Sequence, residues 1–272
     1  MLAQRVVTAL VLLPLLLALV WYAPTPVLYG VLALVGLLMA WEWTGLMGWA
    51  AKGRRWAYTA ACALLLALAW LVPGREVLLP VLLGAAVLWW IFAVSLFPGF
   101  PGNLSRQQTS GLPMALLGLL LTVSTLLSLA ALHAMGPLKL LFFLFIVFAA
   151  DTGAYFAGRR FGKRKLAPNI SPGKTVEGAI GGLLLAGVWA LLAGIPVFAP
   201  AGAVQAALLL LLTMIVAAVS IVGDLTESMF KRVAGIKDSG NILPGHGGIL
   251  DRVDSILAAA PVMVLGLLAT GL

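Results

Sequence analysis

The residues with the most chemical potential lie between Gly223 and Asp254. Asp224 comes first, and Glu227 and Ser228 follow at i+3 and i+4, so a continuing helix presents all three on one side. Lys231, Arg232, Lys237 and Asp238 come next. Pro244-Gly245-His246-Gly247-Gly248 then makes a turn whose glycines let backbone approach a ligand closely. Asp251 and Asp254, three apart, again share a helix face. Several carboxylates among several cations suit a nucleotide with a divalent ion. Carboxylates hold the ion, the ion bridges phosphate oxygens, and Lys or Arg balances the remaining charge. Salt bridges at helix ends would account for the charges, but not for a glycine-rich turn between two Asp-bearing ends. His246 either hydrogen-bonds a phosphate or base, or caps the turn. The other histidine is the distant His133, so a His-based zinc site is not expected.

A second group lies upstream. Asp151 interrupts an apolar run, Phe148-Ala149-Ala150-Asp151-Thr152-Gly153-Ala154-Tyr155-Phe156. A carboxylate inside a membrane span costs about 2.5–3.5 kcal/mol, so it faces a partner or a wet cavity. The run leads into Arg159 to Lys174, which holds Arg159, Arg160, Lys163, Arg164, Lys165 and Lys174 and no acid. Such a loop either sets topology against anionic headgroups or binds polyphosphate. For the second role Ser171 and Thr175 offer hydroxyls, Lys174 a charge, and a following helix its free N–H groups. Gly173-Lys174-Thr175 is not a P-loop, because Pro168 stands where the pattern needs glycine.

The elements that position these groups are membrane spans. Of 272 residues 62% are apolar and 10% charged, against about 45–50% and about 25% in soluble domains. A soluble monomer, a disordered chain and a disulfide scaffold are excluded, and the single Cys62 reads as filler. Apolar stretches of spanning length fall near 6–22, 27–48, 56–72, 77–97, 112–133, 138–158, 176–196, 203–224 and 251–271. Pro and Gly break the chain between them, as at Pro73-Gly74 and Gly136-Pro137. The sequence thus predicts an all-α polytopic membrane protein of about nine transmembrane helices. The basic start followed by an apolar run resembles a signal peptide, but no small-x-small site precedes Trp21-Tyr22, and the stretch reads as an uncleaved first helix. With a cytoplasmic N-terminus, all Lys and Arg except Arg75 and Lys139 fall inside, as the positive-inside rule requires.

Residues 1–136 hold two acids, Glu42 and Glu76, and read as N-terminal scaffold helices; 137–272 hold the other seven acids and read as the catalytic region. No internal repeat is visible, which counts against an inverted-repeat transporter.

The string Ser228-x-x-Lys231-Arg232-x4-Lys237-Asp238-x-Gly240-x2-Leu243-Pro244-x-His246-Gly247-Gly248-x-x-Asp251-Arg252-x-Asp254 resembles the hallmark of the phosphatidate cytidylyltransferases, or CDP-diacylglycerol synthases. Asp151-Thr152-Gly153-Ala154-Tyr155 and Ser171-Pro172-Gly173-Lys174-Thr175-x-Glu177-Gly178 resemble further motifs of that family. Gly173 stands where many members carry Lys, so one phosphate contact does not carry over. The resemblance is strong over 137–272 and rests on hydropathy and length over 1–136.

It implies that CTP and phosphatidate give CDP-diacylglycerol and pyrophosphate with Mg²⁺, a second cation being open, at the cytoplasmic face of the inner membrane. Asp224 and Asp251 are then the expected metal ligands, with Asp254 and Asp151 in support. Ser171, Lys174, Thr175, Ser228, Lys231, Arg232, Lys237, His246 and Arg252 are expected around the substrates. Membrane lipid is an expected partner, nucleic acid is not, and a homodimer stays open. Other lipid transferases carry D-x-x-D-G-x2-A-R or N-D-x-x-D, and neither string occurs here. A cation-coupled transporter using Asp151 and Asp224 would place acids near mid-membrane, whereas most acids here fall at one surface.

Overall fold

In the computed structural model, which describes residues 13–242 and 247–272, a helix stands at each of the nine apolar stretches. With the seventh stretch holding two, they are α1 (Leu13–Tyr22), α2 (Thr25–Leu46), α3 (Lys52–Leu71), α4 (Arg75–Leu96), α5 (Leu112–Met135), α6 (Pro137–Phe161), α7 (Val176–Trp189), α8 (Ile195–Phe198), α9 (Ala203–Ala234) and α10 (Leu250–Thr270). A π-helical turn, Ala190–Gly194, joins α7 to α8 into one rod. It precedes Pro196, which has no N–H to continue the α ladder. Among the described residues seven helices are long and apolar enough to cross a membrane. Basic Lys52, Arg54 and Arg55 open α3, and α1 is described over only ten residues. Arg5 and the start of the first expected span lie outside the described residues.

The fold differs from an all-helical expectation in one place. The basic stretch after α6 is an antiparallel hairpin, β1 (Lys165–Ala167) and β2 (Ser171–Thr175), with Lys165 opposite Thr175 and Ala167 opposite Ser171. Pro168 breaks any helical continuation at its tip. The hairpin is anchored as well as paired. Ile170 is buried, its carbonyl accepts from Arg232 Nε at 3.1 Å, and Asn169 Nδ2 donates to Phe100 O at 3.0 Å.

Two helix pairs set the site. Small residues let α6 and α7 touch backbone to backbone. A Cβ on Gly153 would lie 2.5 Å from Gly181 O, and one on Gly182 would lie 2.6 Å from Ala150 O. In lipid such close packing replaces the hydrophobic drive available in water. On α9, Gly223 faces the Asp254 carbonyl and Ala258 of α10, where a Cβ would come 3.0 Å from the Ala258 methyl. That contact sets Asp254 beside Asp224.

Helix α9 has 32 residues and so runs about 48 Å, well beyond a hydrocarbon core of about 30 Å. Its last turns carry Glu227, Lys231 and Arg232 out of the apolar zone. Gly235, at φ 71°, ends it, with Gly235 N donating to Arg232 O and Ile236 N to Lys231 O. The charged loops gather at this end. Arg106 Nη1 donates to Leu46 O at 2.9 Å, Trp49 Nε1 to Ser110 O at 3.1 Å, and Trp43 Nε1 to Met114 O at 2.9 Å. At the other end His133 bridges Thr25 Oγ1 (2.8 Å) and Val20 O (2.9 Å).

The α6–α7 contact generates a test. Gly153→Ala must push the two helices apart and is expected to cost about 1–3 kcal/mol, read as a lower melting temperature in detergent. A Cβ on Gly30 meets nothing within 4 Å, so Gly30→Ala is expected to cause no loss. Equal melting temperatures for the two variants would refute the close-packing account.

Candidate functional site

Two cavities meet at Asp151 and Asp224. The first, about 480 Å³, is a groove between α6, β2, α7 and α9, bordered by Tyr155, Arg159, Lys174, Thr175 and Ile221 as well as the two acids. The second, about 520 Å³, is lined by Lys231, Asp238, Asp251, Arg252 and Asp254 together with the same two acids. Residues from both upstream motifs and from the downstream string therefore form one connected site.

Hydrogen bonding distinguishes the carboxylates. Asp151 makes no hydrogen bond or ion pair among the described residues and is exposed to the cavities. Asp224 forms an ion pair with Lys174 through Oδ2, and its Oδ1 accepts from Ser228 Oγ at 3.3 Å. Asp254 Oδ1 accepts from Ser255 N at 2.7 Å. Asp251 is far more committed. Its Oδ1 accepts from Lys231 Nζ at 2.7 Å, and its Oδ2 from Ser239 N at 2.9 Å and Gly248 N at 2.8 Å.

The cations divide similarly. Lys231 lies between Glu227 Oε2 at 2.6 Å and Asp251 Oδ1 at 2.7 Å, with all three side chains largely buried. It is a strut between α9 and α10 whose charge is already balanced. Lys174 stands where β2 runs into α7 and reaches the acids from the groove side. Arg252 lines the polar cavity. Arg159, absent from the expected set, borders the groove and donates Nη1 to Tyr155 OH at 3.0 Å.

Other expected residues lie elsewhere. Arg232 spends its Nε on the hairpin tip, and neither it nor the exposed Lys237 borders the two cavities. Ser171 begins β2, away from both. Thr175 borders the groove, but its hydroxyl accepts from Gly178 N at 3.1 Å and caps α7. Ser228 is turned to Asp224. His246 lies outside the described residues. Gly247, at φ 81°, is the turn glycine that the geometry requires; a Cβ there would also lie 2.7 Å from Asp251 Oδ2.

Glu42, which the sequence places among the scaffold helices, also belongs beside the site. It sits in α2, only 2% exposed, and accepts from Ser239 Oγ (3.1 Å), Ile249 N (3.0 Å) and Leu250 N (2.8 Å). Its one sequence signal is the signal that drew attention to Asp151: an acid inside an apolar span.

Among the described residues no three Asp, Glu, His or Cys side chains converge as a ready-made metal cluster. Mg²⁺ does not need one, since it takes one or two protein carboxylates and fills its octahedron with water and substrate phosphate oxygens. Asp224 with one of Asp151 and Asp254, all three bordering one cavity, fits that demand. Asp224 is held only by the side chains of Lys174 and Ser228, which can turn away, whereas Asp251 is fixed by buried Lys231 and two backbone N–H groups and fits it less well.

The comparisons with known proteins agree across the chain. The cytidylyltransferase family pattern matches residues 3–269. A phosphatidate cytidylyltransferase of Pseudomonas aeruginosa is 42% identical over 281 residues, covering 100% of this chain and 98% of that protein. One of Haemophilus influenzae is 40% identical over 282 residues, covering 96% of each. One of Bacillus subtilis is 48% identical over 122 residues, covering 43% of each. The match is not confined to the acidic second half, and this chain belongs to the cytidylyltransferase family.

Proposed function

We propose that this membrane enzyme transfers the cytidylyl group of CTP to phosphatidate, releasing pyrophosphate and forming CDP-diacylglycerol. The observation that carries the reading is that Asp151 and Asp224 border both a groove and a polar cavity. A phosphate arriving from the bilayer and a nucleotide arriving from water can thus meet at one acidic divide.

In this reading the lipid phosphate lies in the groove beside Lys174, Arg159 and Tyr155. A phosphate oxygen attacks the α-phosphorus of CTP in line, the bond to the β-phosphate oxygen breaks, and pyrophosphate leaves with that electron pair. The nucleophile is already an anion, so no general base is required. The chain's contribution is positioning and charge balance. Mg²⁺ would be held by Asp224, with Asp254 and Asp151 beside it, and would supply charge neutralisation to the triphosphate. Asp251 braces Ser239, Gly248 and Lys231, and Arg252 faces the nucleotide cavity. The fully spanning count is nine, the N-terminus and the active end are cytoplasmic, and the membrane is the inner membrane. CTP and lipid suffice as partners; nothing in the mechanism calls for nucleic acid or a second copy of the chain.

The direct test is incorporation of labelled CTP into lipid by purified protein, with and without Mg²⁺. Label that stays water-soluble with phosphatidate and Mg²⁺ present would overturn the reading. Asp224→Ala is expected to abolish turnover while melting like the wild type, since no core cavity forms. Activity within about tenfold, about 1.4 kcal/mol of barrier, would remove Asp224 from the metal site. Lys231→Ala is expected to lose about 3 kcal/mol or more of stability, because Glu227 and Asp251 are left buried without their cation. Lys174→Ala is expected instead to raise the KM for phosphatidate about tenfold or more, the loss of one charged phosphate contact.

Orientation is tested separately. Cysteine placed at 163 or 237 should be labelled from the cytoplasmic side only, and cysteine at 75 from outside only. Outside labelling at 237 would invert the arrangement.

A further inference from the structure

We infer that Glu42, in the N-terminal half, is a positioning residue for the reaction: it holds Ser239, Ile249 and Leu250 so that Asp251 and its neighbours face the nucleotide cavity. The inference rests on the cytidylyltransferase reading and adds a residue from outside the acidic second half.

The geometry is a clamp made by two carboxylates from distant parts of the chain. Ser239 is gripped on both sides. Its backbone N–H donates to Asp251 Oδ2 at 2.9 Å, and its hydroxyl donates to Glu42 Oε2 at 3.1 Å. Near the start of α10, Gly248 N donates to Asp251 (2.8 Å), while Ile249 N and Leu250 N donate to Glu42 (3.0 and 2.8 Å). The N–H groups of Ile249 and Leu250, where α10 begins, are therefore spent on Glu42, and a carboxylate there also complements the helix dipole.

The approach is too close for larger residues. A Cβ on Gly240 would lie 2.8 Å from Glu42 Cδ, and one on Gly248 would lie 2.5 Å from Glu42 Oε2. Glu42 is itself fixed through α2. Neighbouring Trp43 bonds to Met114 O and meets Phe230 of α9 edge-on. Arg55 reaches Trp41 O and Thr44 Oγ1. A rigid helix thus presents one buried carboxylate to the segment carrying the nucleotide-facing residues.

Glu42→Gln is the test, on the purified full-length chain in lipid-detergent micelles. The amide keeps the shape but turns one acceptor into a donor, which faces a backbone N–H donor. The expected result is a fall in kcat per folded molecule of about tenfold or more, beyond the moderate drop in melting temperature that a buried donor–donor contact brings, with the KM for phosphatidate little changed. Ser239→Ala removes only the hydroxyl arm and is expected to lower kcat a few-fold in the same pattern, so the inference stays testable if Glu42→Gln does not fold. Wild-type kcat per folded molecule in either variant, or a loss explained wholly by lowered stability, would overturn the positioning role. Absence of CTP turnover by the wild-type protein would instead sink the functional reading on which it rests.

Discussion

Six carboxylates, Asp151, Asp224, Glu227, Asp238, Asp251 and Asp254, are brought to one end of an apolar bundle, and their mutual repulsion is the constraint that the surrounding structure must contain. Like charges in a poorly hydrated space raise one another's cost unless cations or hydrogen bonds answer them. Two lysines supply the answer from opposite sides. Lys231 ties Glu227 to Asp251 across α9 and α10. Lys174 arrives on the hairpin and meets Asp224. The backbone N–H groups of Ser239 and Gly248 complete the set around Asp251.

Many features of the fold serve that balance. The hairpin delivers Lys174, and its tip is anchored by Arg232 and Asn169. The extra length of α9 carries Glu227 and Lys231 to the bundle's end. Gly223 lets α10 approach closely enough to set Asp254 beside Asp224. The close α6–α7 contact places Asp151 on the same wall as the hairpin's cation. Residues that read as a row of phosphate binders therefore have different tasks. Lys174, Arg159, Thr175 and Arg252 border the cavities, whereas Arg232 holds the hairpin tip and the Thr175 hydroxyl caps α7.

A partly committed set of acids also suits a site that must accept a highly charged substrate. Asp151 makes no hydrogen bond or ion pair among the described residues and Asp224 is paired with a partly exposed lysine, so incoming phosphates can draw off Lys174 without breaking the fold. Asp251 and Glu42 sit on buried backbone donors and serve better as fixed points. Mobile charge and fixed charge are thereby kept on different residues.

The helix positions were legible in the sequence because membrane spans are long apolar runs cut by Pro and Gly, a local signal that needs no tertiary knowledge. The chemical class was legible too, since Asp224, Asp251, Asp254 and the turn between them lie within one short stretch. The hairpin was not legible, because three- and five-residue strands in a basic loop show no periodicity and are held by contacts with Phe100 and Arg232 far along the chain. Nor were the separate tasks of Lys231 and Lys174, which depend on which acid each lysine reaches. Glu42 is the sharpest case. It lies almost two hundred residues from Ser239, and only the packing of α2 against α10 turns an isolated acid in a scaffold helix into the cap of the loop beside the site. Sequence fixes what is local, namely hydropathy, helix breaks and motif spacing; the pairing of distant charges is decided by burial, which exists only once the helices have packed.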